Sequence, residues 1–255
     1  MNVYKIIFSP TGGTEKVADI FANVFDQDIK TIDLTDHTVK FSNIELYKDD
    51  ICIVAVPSYG GRVPDIAVKR LKMIKGNGAR AVLIAVYGNR DYDDTLLELK
   101  NTLYTSNFYS VAAVAAIAEH SVMNQFGQNR PDKNDIAELN TFAKKIKDHI
   151  ETNTVSNSVA VPGNKPYKKY NGIPLKPSLK NDVCSSCGLC VRKCPVEAIS
   201  ATAPHKTDKK KCISCMRCVK LCPSDARKVN GLLLKVASKK MKKECSVPKS
   251  NQLFI

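Results

Sequence analysis

Eight of the chain's ten cysteines fall within 39 residues, in two runs of one form. CSSCGLCVRKCP places Cys184, Cys187, Cys190 and Cys194 ahead of Pro195. CISCMRCVKLCP places Cys212, Cys215, Cys218 and Cys222 ahead of Pro223, an internal repeat at 28 residues. Three thiolates at C-x2-C-x2-C let one tight loop reach three irons of a cubane. A fourth cysteine after a three-residue spacer, followed by proline, is directed to the other cluster. The motif occurs twice, so the circuit closes. Cys184, Cys187, Cys190 and Cys222 are expected to hold one 4Fe–4S cluster, and Cys212, Cys215, Cys218 and Cys194 the other. Each run then supplies its partner's fourth ligand, which accounts for the two copies and implies pseudo-twofold symmetry. A pair of zinc sites is the alternative. It would need two separated C-x2-C pairs and has no use for the third cysteine or the proline.

The compartment follows from the same residues. In a short secreted chain, ten cysteines would read as disulfides. Here MNVYKIIFSPTGG reads as an initiating strand without a signal-peptide cleavage site, and no apolar run reaches 18 residues. A cytoplasmic protein with no membrane span is expected, and regular cysteine spacing in a reducing compartment means metal binding. Cys52 lies in an apolar strand and reads as an inert buried thiol. Cys245, in the basic C-terminal stretch, is surplus to the eight assigned ligands.

Charge divides the chain. Residues 1–150 hold 18 Lys+Arg against 19 Asp+Glu, whereas residues 151–255 hold 21 against 6. All the excess basicity sits on the cysteine-bearing half. The expected organisation is an α/β domain over 1–151, a connector over 152–183, a cluster domain over 184–230 and a basic tail over 231–255. Four prolines and two glycines make the connector semi-rigid in places.

The first half alternates strand and helix. VYKIIF (3–8), IKTIDL (29–34), DICIVAVP (50–57), ARAVLIAV (79–86) and FYSVAAVAAIA (108–118) read as strands. The last of these is rich in alanine and is assigned as a strand from its place in the alternation. Helices are expected over EKVADIFANVF, from Pro64 to about Lys75, over DDTLLELKNTLY, and over about 132–151. In the last, Ile136, Leu139, Phe142, Ala143, Ile146 and Ile150 share one face. Five strands alternating with helices imply a doubly wound parallel sheet, followed by a small α+β cluster domain. Ligands of such sheets bind outside the carboxyl ends of the strands.

Three loops lie at those ends. Ser9-Pro10-Thr11-Gly12-Gly13-Thr14 combines short hydroxyls, glycines and a following helix N-terminus, the makings of an anion site. It lacks the lysine of a nucleotide-triphosphatase loop, and no Gly-x-Gly-x-x-Gly marks a nicotinamide site. An ordinary glycine turn with Thr14 as helix cap is the alternative. PSYGGRVP (57–64) and YGNRDYDD (87–94) each set glycine beside tyrosine, a pattern that offers close backbone approach and a stacking face.

Together these loops resemble flavodoxin. The resemblance implies that Ser9, Thr11, Gly12, Gly13 and Thr14 hold the phosphate of FMN. It also implies that Pro57, Ser58, Tyr59, Gly60, Gly61, Tyr87, Gly88, Asn89 and Tyr92 flank the isoalloxazine. Tyr59 and Tyr92 would be the nearest ring neighbours, with loop packing as the alternative for each. Arg62 and Arg90 depart from the acidic surroundings usual in that family, so its redox potential does not transfer. His120, just past the fifth strand, would border the flavin or the second domain. Residues 184–223 resemble bacterial-type two-cluster ferredoxins. The whole is similar to the flavodoxin-domain ferredoxins of anaerobic bacteria and archaea, with PGNKPY and the terminal NQLFI matching more loosely.

Three functions fit these parts. The first is an electron-transfer protein that passes low-potential electrons between redox partners through FMN and two 4Fe–4S clusters. The second is an FMN-dependent reductase of a quinone or other small acceptor, fed by its own ferredoxin domain. The third, nucleic-acid binding through the Lys235–Lys249 stretch, lacks interleaved aromatics and any reader motif. The missing nicotinamide motif and substrate domain favour the carrier. The basic half would steer acidic redox proteins towards it, unless it is only a solvated lysine coat.

Overall fold

The computed structural model describes residues 1–25, 28–152 and 158–255. The part of the expected connector at 153–157 lies outside the described residues. From the N-terminus the elements are β1 (Val3–Ile7), α1 (Gly13–Ala22), β2 (Ile29–Asp33), β3 (Ile51–Pro57), α2 (Asp65–Leu71), β4 (Arg80–Tyr87), α3 (Thr95–Thr105), β5 (Tyr109–Ile117) and α4 (Lys133–Thr152). The cysteine-bearing half contributes β6 (Ser178–Leu179), α5 (Leu189–Arg192), α6 (Arg217–Lys220), β7 (Arg227–Lys228), α7 (Gly231–Cys245) and β8 (Gln252–Phe254).

The main sheet runs β2-β1-β3-β4-β5-β8. Its first five strands are parallel, and their order is that of the flavodoxin-like doubly wound fold. Because the strands are buried on both faces, alternate residues serve two cores. Ile6, Val54, Val56, Leu83 and Ala85 pack under α2 and α3, against Leu71, Leu96, Leu99 and Leu103. Val3, Ile7, Ile53, Ala55, Val82 and Ile84 meet Val17, Phe21, Leu139, Ala143 and Ile146 of α1 and α4. Ile136, expected on that inner face, is 41% exposed and stands in the first turn of α4. The alanine-rich segment at 109–117 is a strand, paired through nearly its whole length with β4.

The C-terminal stretch is more than a basic tail. α7 opens on Asn230, whose side chain accepts from the N–H groups of Leu232 and Leu233. The chain then returns to the first domain, where β8 adds an antiparallel sixth strand beside β5, with Val114 opposite Leu253. Asn251 fixes that return: it accepts from Ile117 N–H and donates to Asp135 and Glu138. No helix among the described residues is long and apolar enough to cross a membrane.

The cluster region repeats its backbone at the 28-residue offset. Ser186 and Ser214 have φ of 55° and 56°, Gly188 and Met216 of 68° and 61°, Glu197 and Asp225 of 50° and 51°. β6 pairs β7 through Leu179 and Arg227, and the equivalent bridge joins Thr207 to Ile199. The pseudo-twofold symmetry implied by the sequence is present in the chain trace.

Candidate functional site

The eight cysteines line two separate cavities. One, about 500 Å³, is bounded by Cys184, Cys187, Cys190 and Cys222, with Arg192 and Arg227. The other, only about 20 Å³, is bounded by Cys194, Cys212, Cys215 and Cys218, with Ile199, Ile213, Met216 and Arg217. These are the two sets of three plus one expected from the spacing. The short helices α5 and α6 turn each third cysteine inward, and Pro195 and Pro223 close the crossing. Each crossing cysteine also accepts a backbone N–H on its sulfur: Ala198 on Cys194 at 3.3 Å and Ala226 on Cys222 at 3.2 Å. Among the described residues, no group of three or more His, Cys, Asp or Glu is gathered as for a single metal ion. The donor set and its division fit two clusters.

The sites differ in surroundings. Cys187 is exposed, whereas Cys194 and Cys215 are buried. Burial pushes the Cys215 and Cys218 thiols up to about 12, and raises Cys212 as well. At Cys222 burial works upward too, but hydrogen bonds from Arg227 N–H, the Ser224 hydroxyl and Ala226 N–H outweigh it, and the thiol is lowered.

A third cavity, about 260 Å³, opens at the carboxyl ends of the main strands. Thr11, Gly13 and Thr14 line it from the first loop, Pro57, Ser58, Tyr59 and Gly60 from the second, and Tyr87 and Gly88 from the third. Gly12, in the same loop and with φ +91°, has open space where a side chain would begin. The first-turn N–H groups of α1 have no partner inside the helix, and Ser9 takes up only that of Glu15. An anion fits beside them.

Several residues expected at this cavity stand elsewhere. Ser9 spends its hydroxyl on the helix, and Gly12 and Gly61 are not among the lining residues. Asn89 turns away to donate to the carbonyls of Cys245 and Val247. Tyr92 packs edge-on to Tyr87, 5.3 Å between centroids, with its hydroxyl on Gln252. β8 put it there, and β8 was not legible in the sequence. Arg62 is held by Glu98 through two nitrogens, and Arg90, which does line the cavity, is paired with Asp93.

Other residues take those places. A side chain on Gly60 would strike the Tyr170 ring, and one on Gly88 would lie 2.7 Å from His120 Cβ. The two glycines therefore make room for side chains of this chain. Tyr170 belongs to the connector, which is strapped down: Asp94 accepts from the N–H groups of Asn164 and Lys168. Ile173, Pro174 and Leu175 continue the wall, Ile213 and Ser214 of the second cysteine run close another side, and Ala237 and Met241 of α7 a third. His120 is fixed with Nδ1 accepting from the N–H groups of Val122 and Met123. Burial, helped by Arg90, lowers it to about 4, so the ring is neutral near pH 7. His120 was expected at this edge from its place just past β5, whereas spacing gave no signal for the connector and α7 residues, whose approach depends on how the two halves dock.

The docking is specific. Arg70, buried in α2, donates to the carbonyls of Leu34 and Pro195. Arg217 of α6 donates to Ser9 O at 3.3 Å and faces Asp33 at 3.7 Å. Between these ties Tyr59 meets the second run. Burial first, then the nearby Cys215 thiol, holds its phenol well above the ordinary value.

Residues 183–227 match the family model of the 4Fe–4S dicluster domain. No curated protein matches the chain. Among solved structures, a Streptococcus pneumonia TIGR4 flavodoxin is 22% identical, covers 57% of this chain and 97% of its own, and has a TM-score of 0.41. A flavodoxin from the domain Archaea is 14% identical over 58% of this chain and 99% of its own, with a TM-score of 0.41. An NADH:FMN oxidoreductase in its apo form is 13% identical over 62% and 92%, with a TM-score of 0.42.

Proposed function

We propose that this chain is an electron-transfer protein, with FMN in the cavity at the strand ends and one 4Fe–4S cluster in each cysteine cavity. One observation carries the reading: Ile213, between Cys212 and Cys215, lines both the strand-end cavity and the second cysteine cavity. The order strand-end cavity, second site, first site follows, ending at exposed Cys187. FMN, when bound, exchanges electrons singly or in pairs and each cluster exchanges one at a time, so the three together match carriers of different stoichiometry.

The residues supply binding and separation from water. Thr11, Gly13, Thr14 and the first turn of α1 suit the phosphate. Tyr59 and Tyr170 supply aromatic faces, and Met241 an apolar cover. Neutral His120 adds no charge there. A reductase needs an open approach to the ring, whereas connector, second cysteine run and α7 all close on this cavity. That closure supports the carrier over reduction of a quinone or other small acceptor. Partners would be redox proteins with acidic docking surfaces, met in a reducing cytoplasm by the basic half.

Anaerobic purification followed by iron, sulfide and flavin analysis, then stepwise dithionite titration, tests the reading. About eight irons, one FMN and roughly four electrons per chain are expected. Zinc in place of iron, or no flavin, overturns it.

A further inference from the structure

Arg227 is the largest side chain among those fully buried, at 1% exposure. It sits in the wall of the first cysteine cavity, where one terminal nitrogen lies 3.5 Å from Cys190 Sγ and also meets Pro204 O, and the other lies 2.9 Å from Thr207 Oγ1. Its Nε is buried without a partner. Among the described residues no carboxylate pairs with it. An arginine stays charged in a protein, and an unpaired buried charge costs several kcal/mol unless something nearby compensates it.

The internal repeat identifies the contrast. At the 28-residue offset the counterpart of Arg227 is Ile199, buried at 3% in the wall of the second cavity. Both residues sit in equivalent antiparallel pairs, Arg227 opposite Leu179 and Ile199 opposite Thr207, and their side chains differ in charge. Cations near the second site are offset differently. Arg217 lines the second cavity but faces the Asp33 carboxylate at 3.7 Å, and Lys176, which donates to Cys212 O, is only half-buried and screened by water.

Resting on the two-cluster reading above, we propose that Arg227 is the counter-charge of the first cluster and sets its potential above that of the second. A cluster held by four thiolates is anionic and gains one more negative charge on reduction. A fixed guanidinium against a ligand sulfur therefore favours the reduced form, by charge and by hydrogen bonding. In the step concerned, one electron leaves an external one-electron reductant and enters the first cluster, and no bond forms or breaks. Arg227 lines the first cavity and not the second, so the second cluster responds less.

The test compares the holo wild type with Arg227→Met and Arg227→Lys by EPR-monitored redox titration. Cys187→Ser identifies the signal of the first site. Arg227→Met is expected to lower the first midpoint by at least a tenfold change in the reduced-to-oxidised ratio, about 59 mV for one electron. The second midpoint should move less, and Arg227→Lys, which keeps the charge, should lie between wild type and Arg227→Met. Equal shifts at both sites, or none, with eight irons still bound, overturn this proposal and leave the carrier reading standing. Zinc or missing clusters in the wild type overturn both. If Arg227→Met does not load eight irons, the reciprocal Ile199→Lys decides: a raised second midpoint supports the proposal, and an unmoved one overturns it.

Discussion

The two cysteine sites share a motif, a backbone trace and a set of crossing ligands, yet they occupy different environments. The first opens to solvent at Cys187 and carries a buried guanidinium in its wall. The second is enclosed by Ile199, Ile213 and Met216, has in its wall Arg217, which faces Asp33, and is tied to the sheet domain through Pro195 and Arg217. Duplication explains the ligands, and docking explains the difference. A copy pressed against another domain loses its solvent and gains a neighbour, and both changes act on what an electron experiences there.

The comparison can be broken most sharply at the ligands. Cys215→Ser should remove about four of the eight irons and abolish rapid electron exchange between the flavin and the first cluster. Cys187→Ser should cost a similar amount of iron yet leave exchange between the flavin and the second cluster intact. Rapid mixing with absorbance detection separates the two, and equal losses of exchange would show that the second site is not the intermediate station. Next in size is the Arg70 tie between α2 and the second cysteine site. Arg70→Met leaves the Leu34 and Pro195 carbonyls unpaired, a cost of about 3 kcal/mol. Thermal unfolding should then fall by about 10 °C. An unchanged melting temperature would mean that the second site is held to the sheet by other contacts.

A smaller effect belongs to pH. Burial lowers His120 to about 4 from an unfolded value of about 6.5, so between those values the unfolded chain binds more protons than the native one. Stability should therefore decline as pH falls from about 6.5 to about 4. His120→Gln should flatten that decline in urea unfolding at stepped pH, and an identical slope would show that the ring is wetter than its burial implies. The smallest effect sits at the outer rim. Arg192 is exposed and lines the first cavity, so Arg192→Ser should slow exchange with an acidic redox partner a few-fold at low salt. The difference should vanish at high salt, where exposed charges are screened.

Spacing alone separated the eight thiols into their two sets, because the geometry of a short loop fixes which sulfurs can converge. The five parallel strands were equally legible, since burial on both faces demands nearly continuous apolar runs. The alanine-rich β5 was readable only through its place in the alternation. Tyr92 and Asn89 point away from the strand-end cavity for one reason: Gln252 and the carbonyls of Cys245 and Val247, which hold them, arrive from the far end of the chain. Tyr170, Ile173 and Met241 were invisible as cavity residues, because neither the connector nor α7 carries a pattern that says what it will cover.

By itself, the sequence determined the two sets of four cysteines, the repeat, the parallel sheet and the loops at its carboxyl ends, because each is a matter of local spacing and periodicity. Only the tertiary structure decided which cluster site faces the strand-end cavity, that the C-terminal stretch returns as a sixth strand, and that Arg227 lies buried where Ile199 stands in the other copy. Those outcomes depend on packing between segments far apart in the chain, and no local pattern encodes them.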